Sequence, residues 1–206
     1  MNMTVGERRR AYAGPAVFSY GFRPFFLFGA LYAGIALPLW LAMLLSSLEL
    51  SGAIAAVDWH VHEMIFGYLA AIIAGFILTA VPNWTGRLPV MGVPLALLFL
   101  AWLAGRIAVA FISSPWLVLV VDSAFTVLLA GFVWREVLTG KNWRNVPICL
   151  LITLFAAANV LFHFGLQFDV LAGYGQRLAL GVAAVLIGMI GGRITPSFTR
   201  NWMARL

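Results

Sequence analysis

Six long apolar runs constrain this chain more than any other feature. They cover approximately Phe25–Leu45, Met64–Val81, Val90–Ile112, Pro115–Val133, Val146–Phe164 and Leu178–Gly192. Each approaches the roughly 20 residues that cross the hydrocarbon core of a bilayer. The chain is 63% hydrophobic and 10% charged, whereas a soluble domain carries about 25% charge. Folded in water, it would expose far too much apolar surface. A segment inside lipid must satisfy its backbone internally, so each run is expected to be a helix. The fold expected is all-α: a polytopic membrane bundle of about six helices whose first partner is the lipid bilayer. The runs fill the chain and leave only short loops, so residues 1–206 read as a single transmembrane domain.

Basic residues alternate between the two sides of these runs. Arg8, Arg9 and Arg10 precede the first run, and Arg23 starts it. The next connection holds only Glu49 and Asp58, the second holds Arg87, and the third, Ser113-Ser114-Pro115, is uncharged. The fourth has Arg135, Lys141 and Arg144, the fifth Asp169, and the tail Arg200 and Arg205. The positive-inside rule then puts both termini in the cytoplasm. The first run reads as an uncleaved helix, because its small residues Ala11 and Ala13 come before it rather than after. The net charge of +6 is therefore topological. The basic residues do not interleave into a nucleic-acid patch, so no nucleic-acid partner is expected. The one cysteine, Cys149, excludes an internal disulfide and a cysteine-rich metal cluster. Phosphate-binding glycine loops and a Ser/His/Asp arrangement are absent from the sequence.

Chemistry concentrates in Trp59-His60-Val61-His62-Glu63-Met64, which holds two of the three histidines. Imidazole, carboxylate and thioether all bind transition metals or haem iron. His60, His62, Glu63, Met64 and the third histidine, His163, are therefore the candidate metal ligands. The alignment of loops puts all three histidines in the outer leaflet. On a regular helix His60 and His62 point about 200° apart. Below His60 runs a small-residue face of Gly67, Ala70 or Ala71, and Ala74 or Gly75; below His62 run Phe66, Leu69, Ile73 and Phe76. The small face suits close packing or a flat cofactor, so His60 is the expected inward ligand. His62 would need a local irregularity or a second site near the surface. Interfacial histidines that merely end a helix are the plainer alternative.

Glu63 reads either as an acceptor that fixes an imidazole or as a charge favouring a helix N-terminus. Met64 reads either as a soft axial ligand or as packing. His163 shares a stripe with Asn159 and Gln167, a polar row that should face the bundle interior. Arg106 and Asp122 lie about 10 Å below their helix ends on consecutive antiparallel helices. They are expected to pair, since a lone charge there is costly. Arg106 could instead bind a haem propionate through its planar fork. Pro82-Asn83-Trp84-Thr85-Gly86-Arg87 reads as a turn cluster. Gly188 and Gly192 have the G-x-x-x-G spacing of a close helix contact.

Several stretches taken together resemble the NnrS family of bacterial haem- and copper-containing membrane proteins. They are Gly21-Phe22-Arg23-Pro24-Phe25-Phe26, Trp59 through Met64 with Gly67, Gly75 through Gly86, Ala158-Asn159 with His163, and Gly191-Gly192-Arg193 through Pro196 with Phe198-Thr199 and Asn201. The resemblance implies a multi-pass protein of the bacterial inner membrane with haem and copper as cofactors. It also implies a link to denitrification, to the response to nitric oxide, and to nitrosative stress, with nitric oxide as a ligand. It carries no settled catalytic activity and no residue-level ligand assignment. His60, His62, His163 and Arg106 are the cofactor-binding candidates. The resemblance covers the N-terminal half of the usual family length, so the chain reads as a fragment, a truncated gene or a short member, one half of the longer architecture, with a homo-oligomer as one route to an equivalent whole. A small transporter or proton pathway without haem, using Glu63, Asp122, Arg106 and the histidines as a relay, is the competing function.

Overall fold

The computed structural model describes residues 11–52 and 54–204, apart from the side chains of Arg193 and Ser197. The basic residues Arg8–Arg10 and Arg205, used above for orientation, lie outside the described residues. Among those described, six helices are long and apolar enough to cross a membrane, and there is no strand. They are α1 (Phe22–Leu44), α2 (Ala56–Thr85), α3 (Val93–Phe111), α4 (Pro115–Thr139), α5 (Val146–Gly165) and α6 (Tyr174–Met203).

Proline punctuates the starts. Pro94, Pro115 and Pro147 occupy the first turns of α3, α4 and α5, where the missing N–H costs nothing. Gly86 ends α2 with a left-handed φ of +68°, its N–H bonded to Pro82 O at 2.9 Å. The Pro82–Thr85 part of the expected turn cluster is thus the last turn of α2, and the reversal begins only at Gly86. The other end of α2 also runs further than its apolar run. It begins at Ala56, so Trp59–Met64 lies inside the helix.

α2 is the most enclosed of the six helices and α1 the least. α1 packs on one side of α2 and α4 touches the other, while α3–α4, α4–α5 and α5–α6 pack in sequence. The centre is aromatic. Phe66 of α2 meets Phe155 and Phe162 of α5, and Phe25 of α1 meets Phe99 of α3 and Phe125 of α4. Leu27, Leu31 and Ile35 of α1, Val120 and Leu128 of α4, and Leu150 and Leu154 of α5 are exposed, as a lipid-facing surface requires.

Glycine sets two of the close approaches. A Cβ on Gly75 would lie 2.7 Å from the Phe26 ring, so α1 can press onto the small-residue face of α2. A Cβ on Gly175 would lie 2.4 Å from the backbone nitrogen of Phe162, where α6 meets α5. The Gly188/Gly192 pair does not act this way. A Cβ at either position meets nothing within 4 Å, because α6 turns that face away from the bundle. The close contact expected from its G-x-x-x-G spacing is therefore corrected: α6 docks through Gly175 instead.

Gly175→Ala should lower the stability of the detergent-solubilised protein by about 1–3 kcal/mol, the usual cost of overpacking. Gly188→Ala should leave it unchanged or slightly raised. Thermal unfolding of the two variants side by side checks this.

Candidate metal centre

Five helices deliver polar side chains to one buried point near the N-terminal end of α2. α2 supplies His62 and Glu63, α3 Arg106, α4 Asp122 and α5 His163; Tyr32 reaches in from α1. Among them His62 and Glu63 are 0% exposed, Asp122 1%, Arg106 4% and His163 4%. Residues this polar survive inside an apolar bundle only when each is answered by a partner.

The partners are continuous. Arg106 Nη1 donates to Glu63 Oε2 at 2.6 Å, and Arg106 Nη2 donates to Asp122 Oδ1. The Tyr32 hydroxyl also donates to Glu63 Oε2. The other Glu63 oxygen lies 2.9 Å from His62 Nδ1. Asp122 Oδ2 then receives both imidazoles, His62 Nε2 at 3.1 Å and His163 Nε2 at 3.0 Å. Space for this comes from glycine. A Cβ on Gly67 would lie 2.6 Å from both Arg106 Nη1 and Glu63 Oε2, and one on Gly105 would lie 2.8 Å from Asp122 Oδ1.

Charge and proton counting define what this centre can hold. Two carboxylates face one guanidinium, which leaves one negative charge before the imidazoles are counted. A carboxylate only accepts, so Glu63 requires the proton of His62 on Nδ1. In a neutral ring Nε2 of His62 then presents a lone pair to an anionic oxygen. That contact is repulsive unless a proton or a metal cation lies between them. His62 Nε2, His163 Nε2 and Asp122 Oδ2 all lie within 4.8 Å of one another. Ligands of a tetrahedral ion at about 2.0–2.2 Å sit roughly 3.3–3.6 Å apart, a few tenths of an ångström beyond the 3.0 and 3.1 Å found here. Glu63 behind His62 is the carboxylate that orients a metal-bound imidazole. Two imidazoles and a carboxylate suit zinc, copper or non-haem iron.

The inward histidine is the reverse of the one expected. His62 is fully buried, whereas His60 is half-buried and stacks on Trp40 of α1, ring centroids 3.9 Å apart and 17° from parallel. The cause is a π-helical segment over Glu63–Leu69. Its i→i+5 hydrogen bonding holds an extra residue per turn. Counted back from Gly67, α spacing reaches Glu63 and Trp59 and the wider turn reaches His62, all three buried. Trp102 of α3 donates its indole N–H to Gly67 O at 2.9 Å within the segment. Phe66 of the bulky row below His62 is 0% exposed and packs on α5. α2 is more enclosed than the other five helices, so bulk alone does not signal lipid there.

The remaining expectations divide. Arg106 and Asp122 do pair, and Arg106 also takes Glu63, so its fork is occupied. Glu63 does accept from an imidazole. His163 does meet a helix α2 histidine, its ring 5.1 Å from that of His62. Asn159 is buried with it, but Gln167 lies beyond the end of α5 and is exposed. Met64 lies in a separate apolar cluster with Trp59 and Val109. The sequence reading missed Asp122 as a bridging oxygen donor, having paired it with Arg106 alone. It also missed Tyr32, for which an isolated tyrosine in an apolar run gave no signal.

A family model described as NnrS protein matches residues 16–206. No curated protein and no solved structure matches the chain.

Asp122→Ala removes the group shared by Arg106, His62 and His163. It should cost about 3–5 kcal/mol, as does stranding a buried charge. Arg135→Ala removes a 68% exposed partner of Glu136 and should cost less than about 1 kcal/mol. Denaturant unfolding in detergent distinguishes the two.

Proposed function

The chain belongs to the NnrS family, and from that premise we propose that it is a membrane metalloprotein of the nitric oxide response, with copper held by His62, His163 and Asp122. One observation carries this reading: two imidazole nitrogens converge on a single carboxylate oxygen while Glu63 holds the far side of His62. The donor set alone admits several metals; family membership favours copper. When bound, copper supplies a site that takes up nitric oxide. The chain's own residues set the geometry: Glu63 and Tyr32 orient His62, Arg106 holds Asp122, and Phe66 and Phe162 exclude water around the His62 ring. An apolar bundle also concentrates a small uncharged gas. The proposal places the chain in a bacterial inner membrane with both termini cytoplasmic, as one transmembrane domain able to self-assemble.

Haem, the other cofactor that membership suggests, does not fit this centre. The His62 ring has Phe66, Phe162 and His163 within 5.1–5.3 Å of its centroid and no exposed surface. That leaves no room for a macrocycle beside His62, and both Nη groups of Arg106 are already taken by carboxylates. No step is derived through haem.

A second reading is a proton path, favoured by the unbroken chain Tyr32–Glu63–His62–Asp122–His163. Proton flux through metal-free protein in proteoliposomes, stopped by Glu63→Gln, would support it.

His163→Gln and His62→Gln should each remove one equivalent of copper from protein purified from a copper-replete host. Nitric oxide added anaerobically should change the spectrum of the native protein and not of these variants. Unchanged copper content in both variants contradicts the proposal.

A further inference from the structure

His60 is left over by the centre at His62, and its surroundings are of a different kind. Its Nδ1 is buried with no hydrogen-bond partner among the described residues, and so are the indole nitrogens of Trp40 and Trp59 nearby. An orphaned imidazole nitrogen is costly unless something occupies it. The neighbouring groups offer sulfur and aromatic faces. Met43 and Met64 both pack against the small apolar cluster of Ala36, Ile54, Trp59, Val109 and Val118, as does Trp40.

Helix geometry sets the two thioethers about one turn either side of the Trp40–His60 stack. The Trp40–His60 stack fixes where α1 crosses α2. Met43 follows Trp40 by one turn on α1, and Met64 follows His60 by about one turn on α2. Long helical side chains lean towards the N-terminus of their own helix. Each thioether therefore leans back towards the stacked pair, one from each antiparallel helix. The Trp40 ring closes one side as an electron-rich face that attracts cations.

We propose that His60, Met43 and Met64, under the Trp40 ring, form a second cation site, selective for a soft monovalent ion of the copper(I) or silver(I) class. Thioether and imidazole donors select soft ions, and carboxylate and carbonyl oxygens select hard ones. The His62 centre contains an anionic oxygen; this one does not. The site stands whether or not metal occupies the His62 centre, since the two share no donor.

The test is titration of the metal-stripped full chain in detergent with silver(I), reading bound silver by mass spectrometry and tryptophan fluorescence. The native chain should bind silver with a fluorescence change that Trp40→Phe removes. The double variant Met43→Leu/Met64→Leu, which conserves volume and folding, should bind one equivalent fewer and lose that change. His163→Gln should keep it. Equal silver binding by the double variant overturns the proposal. So does a fluorescence change that disappears with His163→Gln and survives in the double variant, or the absence of silver binding by the native chain.

Discussion

Arg106 held between Glu63 and Asp122 is the interaction on which the rest of this bundle depends. A guanidinium with 4% exposure inside an apolar bundle is tolerable only with anionic partners in contact. Supplying two of them fixes where α2, α3 and α4 cross. The second carboxylate leaves a negative charge over, and that surplus draws both imidazoles to Asp122. Fold and candidate chemistry thus share one cause: the groups that compensate Arg106 also aim His62 and His163 at one oxygen.

The π segment of α2 makes this arrangement reachable. Trp59, His62 and Glu63 stand at i, i+3 and i+4 on one helix face, and the π segment begins at Glu63. The wider turn lets Glu63 face Arg106 while His62 faces Asp122. Such segments recur at functional sites, and here the departure from regularity sits at the side chains with chemistry to do. Gly67 within it leaves the space that the Arg106–Glu63 pair occupies.

The architecture was legible because hydropathy reports burial in lipid directly. All six helices lie where apolar runs placed them, extended at several ends by residues such as Ala56–Glu63 that polarity had hidden. The Arg106–Asp122 pair was legible from matching depth, and His163 from its place beside Asn159. The identity of the inward histidine was not. His60 was expected inside because the row below it is small and the row below His62 is bulky, yet Phe66 in that bulky row is buried against α5. The Gly188/Gly192 spacing misled for a related reason, since spacing gives a face but not what lies opposite it. Tyr32 and the Trp40–His60 stack depend on how α1 crosses α2, which no local pattern encodes.

The account's central claim is that a metal ion bridges His62, His163 and Asp122. An anomalous difference map at the copper edge, from crystals of the purified copper-loaded protein, tests it most directly. The prediction is a peak about 2.0–2.2 Å from His62 Nε2, His163 Nε2 and an Asp122 carboxylate oxygen. Direct hydrogen bonds between those groups, with no peak among them, would contradict it.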